Sequence, residues 1–271
     1  QSDGDFELLL IDDGSTDNSL SMMLQLSERD ERIHVVSHDN AGVAATRNLG
    51  IELSRGPYIA FCDADDLWDK DKLAKHRELH ATMPECAASY ARIAFIDPDA
   101  ADNGAAKTYS TVKPGRLSVE DLLGENPVCT TSNLVVKRAV FDEDGCFREG
   151  MHFAEDQQWL VRAAHLGQAI VSINAVLVDY RLSEDGLSVN LEQMYRGWRE
   201  FVSDYQAPAE ARSAEALYCR YLARRALRSG ATPRQALQFA VRGMALDARS
   251  FLGDARRGGL SLLAVALSPL M

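Results

Sequence analysis

The chain has 271 residues, 46% of them hydrophobic and 25% charged, with a formal net charge of −11. That composition excludes a disordered or fibrous chain and leaves room for one large or two small globular domains. The acidic balance excludes a general nucleic-acid binder, which needs a basic face, so any phosphate bound here comes with a metal or a local basic pocket.

Gln1 to Glu7 is polar and acidic, unlike a signal peptide. Phe6–Ile11 reads as a short apolar strand that runs out into Asp12-Asp13-Gly14-Ser15-Thr16-Asp17. Gly14 supplies a tight turn, and Ser15, Thr16 or Asp17 can cap the helix Ser19–Ser27, where Leu20, Met23 and Leu24 recur at helical spacing. A strand follows at Ile33–Ser37, then a turn at Asn40-Ala41-Gly42 and an alanine-rich helix Val43–Leu53 that carries Arg47, Asn48 and Gly50.

The next strand, Tyr58–Cys62, is bounded by Gly56-Pro57 and stops in three carboxylates, Asp63, Asp65 and Asp66. In open α/β sheets that edge is where ligands bind. Carboxylates this close repel one another unless solvated or neutralised by a cation, and oxygen ligands of this kind suit Mg²⁺ or Mn²⁺ bridged to a substrate phosphate. The other reading is a polar loop ahead of the next helix, with Asp69 as its N-cap. The alternation of strand and helix through residue 81 is the signature of βαβ units and a mostly parallel sheet.

Asp69–Ala81 reads as a charged helix in which His76 and His80 lie one turn apart. A solvated face is favoured over a metal site, because Lys75, Arg77 and Glu78 lie among them. Ala87–Ile96 is a further strand, Asp97 to Gly104 a turn-rich loop, Leu117–Leu123 a short helix capped by Ser118, and Thr131–Val136 another strand. Lys137–Phe141 adds a helical turn closed by Asp144-Gly145. Residues 153–164 form an amphipathic helix whose first turn holds Glu155 and Asp156. Simple helix-dipole stabilisation and a general base are both open for this pair. Two short strands, Ala169–Ile173 and Val176–Leu182, close this part.

From about Leu191 helices take over: Met194–Tyr205, Ala209–Ser229 and Pro233–Leu246, the last opened by Thr232-Pro233. Arg220, Arg224, Arg225 and Arg228 read as a solvated face more readily than as a binding site. The apolar segment Gly259–Met271 is too short to cross a bilayer, which needs about 20 apolar residues. Arg256 and Arg257 before it leave a peripheral membrane contact open, and a C-terminal core helix is the simpler reading. Cys62, Cys86, Cys129, Cys146 and Cys219 are scattered with no C-x-x-C pair, which points to a reducing, cytoplasmic setting.

Taken in order, Asp12-Asp13-Gly14-Ser15-Thr16-Asp17, the stretch Asn40 to Gly50 with Arg47-Asn48, Asp63-Ala64-Asp65-Asp66, and Glu155-Asp156 before Trp159 resemble the family 2 inverting glycosyltransferases with the GT-A fold. The resemblance covers about Asp5 to Ser188. It implies a Rossmann-like α/β catalytic domain over residues 1–188, with a helical C-terminal region over 189–271. It also implies transfer of a single sugar from a nucleoside-diphosphate sugar to a glycan, lipid-linked or protein acceptor, with cell-envelope polysaccharide synthesis as the expected setting. By the same resemblance, Asp12, Asp13, Arg47, Asp63 and Asp65 serve the nucleotide sugar. Asp66 with Asp65 holds Mn²⁺ or Mg²⁺, and Asp156, with Glu155 beside it, is the catalytic base.

Two features depart from the family pattern. No apolar strand with a Pro-x-Tyr-Asn-like segment stands ahead of Phe6, so an exposed sheet edge is expected. The Gln-x-x-Arg-Trp pattern of processive synthases is also absent, since Gln157-Gln158-Trp159 has no arginine before its tryptophan. The rival readings are a non-catalytic sugar-nucleotide-binding or interaction module and a sugar-nucleotide nucleotidyltransferase.

Overall fold

The computed structural model describes residues 1–97, 106–182, 189–228 and 232–254. The expected tail segment Gly259–Met271 and most of the loop from Asp97 to Gly104 lie outside the described residues.

The first strand, β1 (Leu8–Asp13), pairs in parallel with β2 (Ile33–His38) in register Leu8 to Ile33 through Asp13 to His38. Helix α1 (Ser19–Ser27) connects them, and α2 (Val43–Leu53) follows β2, both with the bounds that periodicity predicts. Gly14, at φ +74°, lets the turn after β1 touch the turn after β2: a Cβ there would lie 2.8 Å from the Asn40 backbone nitrogen. The two strand ends are therefore held side by side.

The larger sheet runs β3 (Tyr58–Ala60), β7 (Val135–Lys137), β5 (Cys86–Ile96), β8 (Ala169–Arg181), β4 (Leu67–Trp68), with β6 (Thr108–Tyr109) added to β5. This sheet is mixed. Parallel pairing holds for β5 with β8, as for β1 with β2, whereas β3 with β7, β5 with β7, β4 with β8 and β5 with β6 are antiparallel. The βαβ alternation legible through residue 81 governs the first pair, but β4 is a two-residue edge strand and β7 follows directly on a 3₁₀ turn and pairs antiparallel. Among the described residues β1 pairs with β2 alone.

Strand β5 is buried along nearly its whole length, as a central strand should be. Strand β8 is continuous where two strands are expected. The register jumps from Ala91 opposite Ile173 to Arg92 opposite Val176, a bulge that absorbs Asn174 and Ala175 without ending the ladder.

Helix α3 (Lys72–Thr82) buries its Lys72, His76 and His80 face, so the solvated face expected for the two histidines is overturned: they are 1% and 3% exposed. Ser89 of β5 lies between them, its Oγ 2.7 Å from His76 Nδ1 and 2.9 Å from His80 Nε2. Burial pushes His76 far below its ordinary range and brings Lys72 down to about 7. Spacing shows that the three residues share a face; Ser89 of β5 covers the two histidines, and the Asn133 carbonyl and the Trp68 ring cover the lysine.

Helices α4 (Val119–Gly124), α5 (Arg138–Asp144) and α6 (Glu155–His165) flank the sheet. Ser118 caps α4 as expected, in a reciprocal box with Asp121. The strand expected at Thr131–Val136 is split into a 3₁₀ turn, Thr131–Asn133, and β7.

The helical region consists of α7 (Leu191–Phe201), a 3₁₀ turn, α8 (Pro208–Arg228) and α9 (Pro233–Leu252). It packs onto the sheet domain through one continuous apolar core that includes Trp159, Trp198, Tyr218 and Phe239. Trp198 Nε1 donates to the Leu123 carbonyl at 2.9 Å, and Gly197 is the only residue size that fits, because a Cβ there would overlap the Phe153 carbonyl. The solvated reading of the α8 arginines fails for two of them. Arg220 and Arg225 are buried, Arg220 against Glu125 and the Phe251 carbonyl, Arg225 against the hydroxyls of Tyr221 and Tyr180. Helix α8 lies among α4, α7 and α9, so its basic stripe faces protein.

Among the described residues no helix is long and apolar enough to cross a membrane.

Candidate active site

The site gathers where β3 runs out, with α2 as the element that its parts share. Asp13 accepts from the backbone N–H groups of Ala41 (2.7 Å) and Gly42 (3.1 Å), closing the start of α2, which has no side-chain cap of its own. Asp12 is buried and accepts from Ser15 N–H at 3.1 Å and Ser37 Oγ at 2.8 Å. The Ser15 side chain foremost, then the Ser37 hydroxyl and the Ser15 N–H, hold its carboxyl below the ordinary range against its burial. Both carboxylates thus order the two turns at the tips of β1 and β2. No hydrogen bond or ion pair joins them to Asp63, Asp65 or Asp66 among the described residues.

Farther along α2, Arg47 makes the central connection. Its guanidinium reaches Glu155 at 2.7 Å and Asp63 at 2.9 Å, and the Arg47 side chain is only 13% exposed. The acids at the end of β3 and the acids opening α6, 92 positions apart from Asp63 to Glu155, are thereby brought together. Asn48 adds a second clip, exchanging two 2.9 Å hydrogen bonds with the backbone of Phe147. A two-armed buried ion pair needs a planar fork, and lysine offers a single point of charge. Arg47→Lys is therefore expected to lower stability by about 1–2 kcal/mol, measured by urea unfolding.

The three acids differ in environment. Asp63 is half-buried, pairs with Arg47, and takes the hydroxyls of Thr130 and Thr131 at 3.3 and 3.4 Å, while its own N–H donates to Ser132 Oγ at 2.9 Å. Asp65 is exposed, its backbone carbonyl accepting from Arg181 Nε at 3.0 Å. Asp66 is 6% exposed, with Arg181 N–H at 3.2 Å from its carboxyl and the Thr130 hydroxyl at 3.5 Å. Burial, with Asp63 and Asp65 adding to it, pushes the Asp66 carboxyl up to about 7 against the pull of the Ser132 hydroxyl and the Arg181 N–H.

That imbalance is what a divalent cation would relieve. Among the described residues no three acid, histidine or cysteine side chains form a ready-made metal cage. Asp65 and Asp66, two neighbouring carboxylates, are the donor type that suits an ion such as Mg²⁺ or Mn²⁺, which takes one or two carboxylates and completes its shell with phosphate oxygens and water.

Glu155 and Asp156 open α6 after Ala154, a non-glycine residue at φ +61°. Glu155 is buried, and burial together with the adjacent Asp156 charge raises its carboxyl, Arg47 opposing. Asp156 is less enclosed. It accepts from Gln157 N–H at 2.7 Å and from Asn126 Nδ2 at 3.0 Å.

Three parts of the site are not singled out by sequence patterns. They are Asn126, the hydroxyl row Thr130–Ser132, and Asn133, whose side chain bridges the Ala91 backbone and the Val128 carbonyl. The cluster of small polar residues in Asn126 to Asn133 is the one local signal, since a buried strand would not carry it.

Strand ends lined with acids, a mixed sheet flanked by helices and a helix start carrying two more carboxylates make up the layout of a GT-A glycosyltransferase. The chain belongs to glycosyltransferase family 2: the profile described as Glycosyl transferase family 2 matches residues 1–145. A Bacillus subtilis (strain 168) protein carrying the name teichuronic acid biosynthesis glycosyltransferase TuaG is 30% identical over 192 residues, covering 70% of this chain and 73% of that protein. Two solved structures share the fold at 18% identity and a TM-score of 0.57. TarS residues 1–349 of S. aureus covers 91% of this chain and 73% of its own, and the mannosyltransferase PcManGT of Pyrobaculum calidifontis, in complex with GDP-Man and Mn²⁺, covers 97% and 77%.

Proposed function

We propose that this glycosyltransferase moves one sugar from a nucleoside-diphosphate sugar to an acceptor hydroxyl by a single displacement that inverts the anomeric carbon, with Mn²⁺ or Mg²⁺ bound. The acceptor is a glycan or lipid-linked glycan of a cell-envelope polysaccharide, a class suggested by the teichuronic acid relative. The observation that carries this reading is the Arg47 bridge. It sets one acidic group that suits a cation and diphosphate beside a second acidic group that suits proton removal.

In this reading Asp66 and Asp65 hold the cation, which when bound offsets the charge gathering on the departing diphosphate. Asp12 and Asp13 shape the nucleotide end of the site through the two turns that they close. Asp63 stays fixed by Arg47 and the Thr130 and Thr131 hydroxyls, so the strand end does not need to rearrange when a donor arrives. Asp156 takes the proton of the acceptor hydroxyl as its oxygen bonds to the anomeric carbon and the bond to the diphosphate breaks on the opposite face. Glu155, bound to Arg47, supports Asp156 without taking that proton.

The test is calorimetric titration of UDP, GDP, dTDP and CDP with and without Mn²⁺, followed by assay of nucleoside-diphosphate release from the matching nucleotide sugars. Binding of at least one nucleoside diphosphate that strengthens tenfold or more (about 1.4 kcal/mol) with Mn²⁺ is expected. Absence of Mn²⁺-dependent binding for all four would overturn the reading.

A further inference from the structure

The loop from Asn126 to Cys129 meets the first turn of α6 through one side chain. Asn126 is 6% exposed. Its carbonyl Oδ1 accepts from the backbone N–H groups of Val128 and Cys129, both at 3.1 Å, and its Nδ2 donates to Asp156 Oδ2 at 3.0 Å. Backbone N–H groups only donate, so the amide has one workable orientation, with its NH₂ end toward Asp156. The backbone on both sides of this contact is strained. Cys129 at φ +71° and Ala154 at φ +61° are the two non-glycine residues with positive φ among the described residues. Each such residue persists only where its surroundings hold it in place, and such strain collects at sites that are pre-organised.

We infer that Asn126 is a positioning residue for Asp156. It fixes the carboxylate between two donors, its own amide and Gln157 N–H, while the remaining lone pairs stay available to an incoming hydroxyl. The charged and titratable groups facing Asp156 are Glu155 on its own helix, Arg47 from α2, Cys129 from the loop, and Tyr218 and Tyr221 from α8. Asn126, like Gln157 N–H, is an uncharged donor to Asp156, so it orients the carboxylate without consuming its charge. The inference rests on the reading of Asp156 as the base.

Asn126→Asp separates orientation from folding. The new carboxylate still accepts from Val128 and Cys129 N–H, which keeps the loop, but it sets an acceptor and a negative charge where Asp156 needs a donor. The full chain is assayed for nucleoside-diphosphate release from UDP-glucose and GDP-mannose with Mn²⁺, water being the acceptor. In parallel the side-chain carboxyl of Asp156 is titrated by ¹³C NMR, with its resonance assigned from Asp156→Asn.

Asn126→Asp is expected to bind donor within about twofold of the parent, to lose about tenfold to a hundredfold in kcat, and to shift the acid limb of the pH–rate profile upward. The Asp156 resonance is expected to titrate at higher pH in the variant than in the parent. An unchanged Asp156 titration overturns the positioning assignment whatever the turnover shows. Unchanged kcat in Asn126→Asp, with turnover lost in Asp156→Asn, also overturns it and leaves Asp156 as the base. Turnover retained in Asp156→Asn overturns the base reading instead.

Discussion

Asp156→Asn is expected to lower sugar transfer by a factor of about 10² to 10⁴ while leaving nucleotide-sugar affinity within about twofold of the parent. The carboxamide is nearly isosteric with the carboxylate but cannot take up a proton, and that is the role proposed for Asp156. The substitution is not silent for the structure. Asp156 accepts from two donors on two different oxygens, Gln157 N–H on Oδ1 and Asn126 Nδ2 on Oδ2. An asparagine has one acceptor oxygen, and Asn126 cannot turn over because its own oxygen holds two backbone N–H groups. One donor is left facing an NH₂ group, at a cost of about 1 kcal/mol. The variant should therefore melt slightly below the parent yet retain donor binding. The loss should sit in kcat, as it does when an interaction made only in the transition state is removed. Rapid-quench turnover with calorimetric donor titration checks this, and transfer within threefold of the parent would remove Asp156 from the chemistry.

The acids of the site are legible in the sequence because each stands at an abrupt change of pattern. Asp12-Asp13 and Asp63 to Asp66 end apolar strands, and Glu155-Asp156 begin an amphipathic helix. Arg47, Asn48 and Gly50 share a helix with the bounds that periodicity gives. The fastenings between these elements are not legible. The bond from Arg47 to Glu155 spans 108 positions, and that from Asn126 to Asp156 spans 30, so neither leaves a local trace.

Periodicity also states which residues share a helix face without stating what covers it. Lys72, His76 and His80 have the composition of a wet surface, yet they are buried: the Ser89 hydroxyl of β5 meets both histidines, and the Asn133 carbonyl and the Trp68 ring receive the lysine. Arg220 and Arg225 are likewise buried, because carboxylate, phenol and carbonyl oxygens within the fold receive them. A parallel sheet follows from strand and helix alternation only while the alternation lasts. Once a strand arrives through a turn, as β7 does after the 3₁₀ turn Thr131–Asn133, pairing is set by where the chain re-enters, and composition does not record that.

Asp66→Asn is expected to act in opposite directions on stability and on donor binding. The folded chain holds the Asp66 carboxyl up to about 7, chiefly by burial, with Asp63 and Asp65 adding to it. The unfolded chain releases the same proton near pH 4. Between these values the folded state keeps a proton that the unfolded state has lost, so stability falls as pH rises through the window, and the penalty is complete above about 7. At 1.36 kcal/mol per pH unit the penalty is on the order of 4 kcal/mol at most. An asparagine has no charge to desolvate. The metal-free variant should therefore melt several degrees above the parent at pH 8, with the gap closing toward pH 4. If Asp66 holds the cation as proposed, the variant also loses what the buried charge is kept for. Mn²⁺ with a nucleoside diphosphate should raise the melting temperature of the parent and leave the variant nearly unmoved, since only a ligand that binds the folded state shifts it. Thermal melts at pH 4, 6 and 8, with and without Mn²⁺ and nucleoside diphosphate, measure both effects. Equal Mn²⁺-dependent stabilisation of parent and variant would take the cation away from Asp66, whereas a variant less stable than the parent at pH 8 would mean that the carboxylate is already neutralised within the fold. The two signs together identify a residue whose charge the fold bears at a cost for the sake of its ligand.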